Sequence, residues 1–196
     1  MGGFFGAASR KSCKYDVFFG TDYHSHLGTK RGGLAFYDPD KGFQRQIHNI
    51  ENTPFRTKFE SDLEKFSGCY GLGCISDTDP QPLLVRSHLG LFAISTVGII
   101  TNAEELVEKT FSGPGYQFMA MSSGNVNATE LTAALINRCD NLIDGIRYAQ
   151  AAIEGSCTIL ILNQDGLIAA RDSMGRLPIV IGQGEKGCCA AMESFA

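Results

Sequence analysis

Asp165–Gly182 reads DGLIAARDSMGRLPIVIG and carries the plainest structural signals in the chain. Just before it, Ser156–Asn163 (SCTILILN) is an apolar run rich in β-branched residues, and Asn163–Gly166 (NQDG) is a turn, so SCTILILN and LIAARD pair as a β-hairpin. The loop RDSMGRLP follows with its Gly and Pro.

Working outward, Gly32–Asp38 reads as a strand turned by DPDKG and continued by FQRQIHNI. Phe55, Phe59, Leu63 and Phe66 recur at helical spacing and predict an amphipathic helix over FRTKFESDLEKF, its apolar stripe facing the core. LLVRS and LGLFAISTVGII are two strands separated by a turn at His88. Asn102 with Glu105 three residues on is a capping-box arrangement that opens a helix. A second helix, TELTAALINRC, is capped from Asn127 or Thr129, and a third, LIDGIRYAQAAI, runs up to Gly155. The expectation is an α+β domain of antiparallel strands with helices on their outer faces.

The chain has 196 residues, 43% of them hydrophobic, enough to bury one sizeable core. A net charge of −4 gives no basic stripe, which argues against nucleic acid as a partner. No apolar run approaches bilayer length, and MGGFFGAASRK lacks the apolar core of a signal peptide, so no membrane partner is expected and the cytoplasm is the expected location. Seven cysteines, an odd number, favour reduced thiols; Cys69 and Cys74 lack zinc-knuckle spacing, and no metal or cofactor is expected.

Several motifs together resemble class II glutamine amidotransferases. MGGFFG is similar to their Cys-Gly-x-x-Gly start, with Gly2 in the cysteine's place; YHSHLGTKRGG (Tyr23–Gly33) resembles the Tyr-x-x-x-His-Arg-Gly-Gln segment, with His26 in the histidine's place. Gln81-Pro82, GIITNAEEL (Gly98–Leu106), the Arg171-Asp172-x-x-Gly175-x-x-Pro178 loop and AMESFA complete the resemblance, which is strongest to amidophosphoribosyltransferases of purine biosynthesis. It implies the four-layer αββα sandwich of N-terminal nucleophile hydrolases, formed by residues 1–196 as one glutaminase-like domain. It also implies a phosphoribosyltransferase domain following this one in the full protein, with homo-oligomerisation possible. Where relatives carry an iron–sulfur cluster, its ligands lie mostly in that following domain.

The same resemblance implies that the family's chemistry is missing. The nucleophile's place is Gly2; Leu27 and Ser76 stand where arginines hold glutamine; Val97 replaces the oxyanion-hole asparagine, leaving Gly98; and Ala128 stands where an aspartate binds the substrate amine. Neither leucine nor serine can grip a carboxylate with two parallel hydrogen bonds. Losing one oxyanion donor alone costs on the order of 100- to 1,000-fold in rate. Gly33, Asn102, Arg171, Asp172, Gly175 and Pro178, by contrast, are the framework residues that remain, with Arg171–Asp172 read as an ion pair.

The expectation is a domain that kept the fold and lost glutamine hydrolysis, serving as a scaffold or regulatory module. Its alternatives are a small-ligand sensor with a more apolar pocket and an enzyme with a displaced nucleophile. For the latter, Cys74 and the carboxylates Asp77 and Asp79 are the candidates; a buried strand cysteine and turn-capping aspartates are the ordinary explanations. His24 and His26 are weighed as metal ligands against a hydrogen-bonded surface pair, and Lys30-Arg31 as a phosphate contact against a solvated loop. The GPG at Gly113–Gly115 and SSGN at Ser122–Asn125 read as turns near the former pocket.

Overall fold

The computed structural model describes residues 2–111, 121–122, 125–194 and 196. Their elements, in chain order, are β1 (Gly2–Ser9), α1 (Lys14–Tyr23), a 3-10 turn (His24–Leu27), β2 (Arg31–Asp38), β3 (Gly42–Asn49), and α2 (Phe55–Phe59) running into a 3-10 turn (Glu60–Lys65). Next come β4 (Tyr70–Ser76), β5 (Leu83–Ser87), β6 (Gly90–Ile100), α3 (Ala103–Phe111), β7 (Met121–Ser122) and β8 (Asn125–Val126). The chain closes with α4 (Ala128–Ile136), α5 (Leu142–Ala152), β9 (Gly155–Asn163), β10 (Gly166–Ala170), β11 (Val180–Gly184) and β12 (Gly187–Ala191).

A six-stranded sheet has the order β11-β12-β1-β4-β2-β3 and a four-stranded sheet the order β10-β9-β6-β5; β7 and β8 make a separate two-stranded ribbon. Every pairing is antiparallel. Alternation of side chains along each strand divides the core into three apolar layers. Phe5, Val17, Phe18, Phe55 and Phe59 fill the space between the larger sheet and α1–α2. Phe4, Leu72, Cys74, Val97, Leu160 and Leu162 lie together between the two sheets. Ile94, Ile159, Leu131, Leu135 and Ile146 join the smaller sheet to α4 and α5. The result is the expected α+β sandwich of helix, sheet, sheet and helix.

Three local expectations are corrected. The helix over residues 55–66 is α for five residues and then tightens into the 3-10 turn; Asp62, buried at the turn, takes hydrogen bonds from His48 Nε2 and Lys65 Nζ, both at 2.6 Å. Asn102 does not cap α3 with its side chain. Its amide instead donates to the Ala152 carbonyl (3.0 Å) and accepts from the Glu154 N–H (2.9 Å), tying the start of α3 to the end of α5, while Glu105 pairs with Lys109. Arg171 and Asp172 form no ion pair: Arg171 is exposed with its guanidinium over Gly175, whereas Asp172 is buried and reaches the Arg176 N–H. Neighbouring residues on an extended segment point to opposite sides, so adjacency in sequence keeps them apart.

One helix was not legible in the sequence. In α1, KYDVFFGTDY, aromatic residues lie on both faces, which hides the helical period. Gly113–Gly115 and the centre of the SSGN segment lie outside the described residues; Ser122 and Asn125 pair across the β7–β8 ribbon.

Candidate functional site

Register brings the expected site positions to one end of the sandwich. Gly2, at the start of β1, lies opposite Ser76 at the end of β4, and Arg31 of β2 flanks Ser76 on its other side. Two residues on from Gly2, Phe4 pairs with Cys74, and both share the inter-sheet layer with Val97 of β6. Gly2, Ser76 and Val97 therefore belong to strand faces that look into the sandwich. On the opposite face of β1, Leu27 leans against Gly3: a Cβ on Gly3 would lie 2.7 Å from Leu27 Cδ1.

Residue 2 has little room for a side chain. A Cβ built on Gly2 falls 2.5 Å from the backbone carbonyl oxygen of Ile75. A backbone atom in a paired strand cannot swing aside as a flexible side chain does, so any side chain at residue 2 has to push β1 and β4 apart. Gly98 is exposed at the end of β6 with φ 154°, and a side chain there would strike the Ser156 carbonyl.

Ala128, the last of the expected positions, belongs to the helix layer. It is the first residue of α4, capped by Asn127, whose Oδ1 accepts from the N–H groups of Thr129 and Glu130, both at 2.9 Å. Of the two candidate caps it is Asn127 that serves. Thr129 instead turns its hydroxyl to that of Thr96 on β6, 2.7 Å away.

The connection from β4 to β5 fastens these parts together. Asp77 accepts from the Thr29 N–H at 2.7 Å. Asp79, 4% exposed, accepts from the Ala128 N–H at 3.3 Å and so adds a carboxylate to the positive end of α4. Gln81 uses both ends of its amide on Thr96, accepting from its N–H at 2.8 Å and donating to its carbonyl at 3.1 Å. Three alternate residues thus reach the loop before β2, the start of α4 and the middle of β6. Gly33 permits the crossing, because a Cβ there would collide with the Gln81 carbonyl. Burial works to raise the Asp77 carboxyl, but hydrogen bonds led by the Thr29 N–H prevail and hold it below the usual carboxylate range. The two aspartates thus engage different backbone groups as turn and cap acceptors, the ordinary explanation weighed for them in the sequence.

Cys74 is 1% exposed, and burial pushes its thiol up to about 12. Burial thus favours the protonated thiol over the thiolate, the nucleophilic form. His24 is fully buried rather than on the surface. Its Nδ1 lies 2.6 Å from the Gly20 carbonyl, and its Nε2 accepts from the Met192 N–H at 3.3 Å, which fixes the neutral ring with hydrogen on Nδ1. Burial lowers its pKa. His26 is exposed and pairs with Glu193 at 3.1 Å, and that carboxylate raises its pKa. The two histidines point to different partners and both anchor the segment after β12. Among the described residues no group of three or more His, Cys, Asp or Glu side chains is placed to hold a metal.

A cavity of about 910 Å³ lies beside Ala128, lined by Ile100, Val107 and Val126 with Glu104, Glu108 and Glu154. Gly2, Leu27, Ser76, Val97 and Gly98 do not line it. The contacts that sequence reasoning missed are those of Gln81 with Thr96; the Gln-Pro dipeptide marked the place without revealing which backbone the glutamine would grip.

Residues 56–195 match the family model described as glutamine amidotransferase domain. Amidophosphoribosyltransferase of Methanocaldococcus jannaschii is 27% identical over all of this chain, and that of Archaeoglobus fulgidus is 28% identical over 89% of it. The chain spans 43% and 35% of the lengths of those relatives. Among solved structures, glutamine phosphoribosylpyrophosphate amidotransferase from B. subtilis, complexed with ADP and GMP, superimposes with a TM-score of 0.83 at 23% identity, covering 97% of this chain and 41% of that one. A structure described as the allosteric regulatory enzyme of purine biosynthesis matches with the same score and coverage. No helix among the described residues is long and apolar enough to cross a membrane.

Proposed function

The chain belongs to the class II glutamine amidotransferase domain family, and from that premise we propose that it is a member without glutaminase activity, serving as a scaffold or regulatory module for a phosphoribosyltransferase-type domain of purine biosynthesis in the cytoplasm. The observation that carries this reading is the space at residue 2: the family's chemistry needs a side-chain sulfur there, and a Cβ alone falls 2.5 Å from the Ile75 carbonyl oxygen. Four further substitutions point the same way. Leu27 and Ser76 offer no guanidinium to a substrate carboxylate, Val97 offers no amide to an oxyanion, and Ala128 offers no carboxylate to an amine. The N–H of Ala128 is itself taken by Asp79. The buried Cys74 thiol supplies no substitute nucleophile.

The test is glutamate release from glutamine by the purified chain, beside a Gly2→Cys variant freed of its initiator methionine. Both are expected to stay at the buffer background. Turnover by the unaltered chain would overturn the reading, and turnover by the variant alone would mean that the strand gives way and the pocket still accepts glutamine.

A second reading, a small-ligand sensor, draws on the cavity beside Ala128. Calorimetric titration with glutamine and with a short aliphatic amine tests it; no heat from either leaves the scaffold reading alone.

A further inference from the structure

The outer face of α1 carries an unusual cost for a surface. Tyr15, Phe19 and Tyr23 stand at i, i+4 and i+8, one above another on a single stripe, and are 52%, 52% and 38% exposed. Val17, Phe18 and Thr21 supply the buried face of the helix, and the stripe lies on its other side. Tyr15 and Phe19 stack with centroids 6.5 Å apart, Lys14 Nζ lies 5.2 Å from the Tyr15 centroid, and Arg56 Cζ lies 5.6 Å from that of Phe19. Asp22 holds Arg56 in place through Nε (3.1 Å) and Nη2 (2.6 Å). Aromatic rings and a fixed arginine are the composition of an interface core rather than of a solvated helix.

The position of the stripe indicates what covers it. At its C-terminal end Tyr23 packs edge-on against His24 and His26. Those two histidines hold Met192 and Glu193, so the polypeptide leaves the last strand of the domain beside the stripe. The relatives are more than twice as long as the part this chain spans.

We infer that the Tyr15–Phe19–Tyr23 face of α1 is the surface on which the polypeptide C-terminal to this domain docks in a protein of the relatives' length. This rests on the reading of the domain as a scaffold, and deepens it by naming the surface.

Hydroxyl-radical footprinting read by mass spectrometry tests the assignment, applied to the 196-residue chain and to the full natural polypeptide. Oxidation of Tyr15, Phe19 and Tyr23 is expected to fall about fivefold in the full polypeptide, as for half-exposed rings taken into an interface core. Ile143 on α5 and Met174 in the loop before β11, both exposed, serve as unchanged controls. Phe19→Lys should restore oxidation at Tyr15 and Tyr23 in the full polypeptide while its circular dichroism is unaltered. Equal oxidation in both forms overturns the inference, as does a natural polypeptide that ends at residue 196. Protection in the short chain that grows with concentration alongside a dimer mass assigns the face to a second copy and overturns it too. Glutamate release, measured on the same samples, reports on the scaffold reading separately, because an active glutaminase with a protected stripe would sink that reading and leave the surface intact.

Discussion

At residue 2 a backbone carbonyl leaves no room for even a methyl group. The Ile75 carbonyl that excludes a Cβ belongs to a strand paired on both sides, by β1 and β2, so relief requires moving the sheet and not one rotamer. Gly2→Cys is therefore expected to lower stability by roughly 1–3 kcal/mol, the usual cost of overpacking, read as a lower midpoint in urea. The Cys74 thiol makes a complementary prediction: in the folded chain at pH 8 iodoacetamide should label the exposed Cys188 and leave Cys74 untouched, which peptide mass spectrometry checks. The two histidines separate by titration. Burial lowers His24, so the stability that depends on its neutral ring is intact above about pH 6.5 and is lost as pH falls below it, when the unfolded chain takes up a proton that the folded chain refuses. The Glu193 carboxylate raises His26, whose contribution is present at low pH and lost as pH rises through its folded midpoint. NMR titration should find the His24 midpoint below that of His26; the reverse order would contradict the burial of His24.

At the scale of elements, the start of α4 is held from two directions. Asn127 satisfies two of its N–H groups and Asp79 a third, so Asn127→Ala is expected to cost about 1–2 kcal/mol and Asp79→Ala about 1 kcal/mol in urea denaturation. Asn127 was legible because an N-cap is a local device, read from the residue and the helix that follows. Asp79 was legible as a capping aspartate but not as a cap for α4, since its partner lies 49 residues away. The same contrast explains Asn102: sequence spacing offered Glu105, but the end of α5, brought alongside by packing, took both ends of its amide. In α1 the aromatic residues on the outer face erased the period that would have announced a helix. An element that buries one face and reserves the other for a partner reads as apolar all round.

For the whole molecule, the inter-sheet layer couples the expected site positions to the fold. Phe4, fully buried two residues from Gly2, packs among side chains of both sheets, so Phe4→Ala is expected to cost about 3–5 kcal/mol, a large share of a domain's usual 5–15 kcal/mol. A midpoint in urea within experimental error of the unaltered chain would mean that the sheets are not joined through this layer. The class of fold, the two hairpins and the helices α4 and α5 were legible in the sequence, because turn chemistry, hydrophobic period and motif identity are local properties. Only the tertiary structure decided that residue 2 has no room for a side chain, that Cys74 is sealed in, that Arg171 and Asp172 part company, and that Asp77, Asp79 and Gln81 fasten three elements together. Each of these depends on distances between strands and helices far apart in the chain, and such distances are set by how whole layers pack.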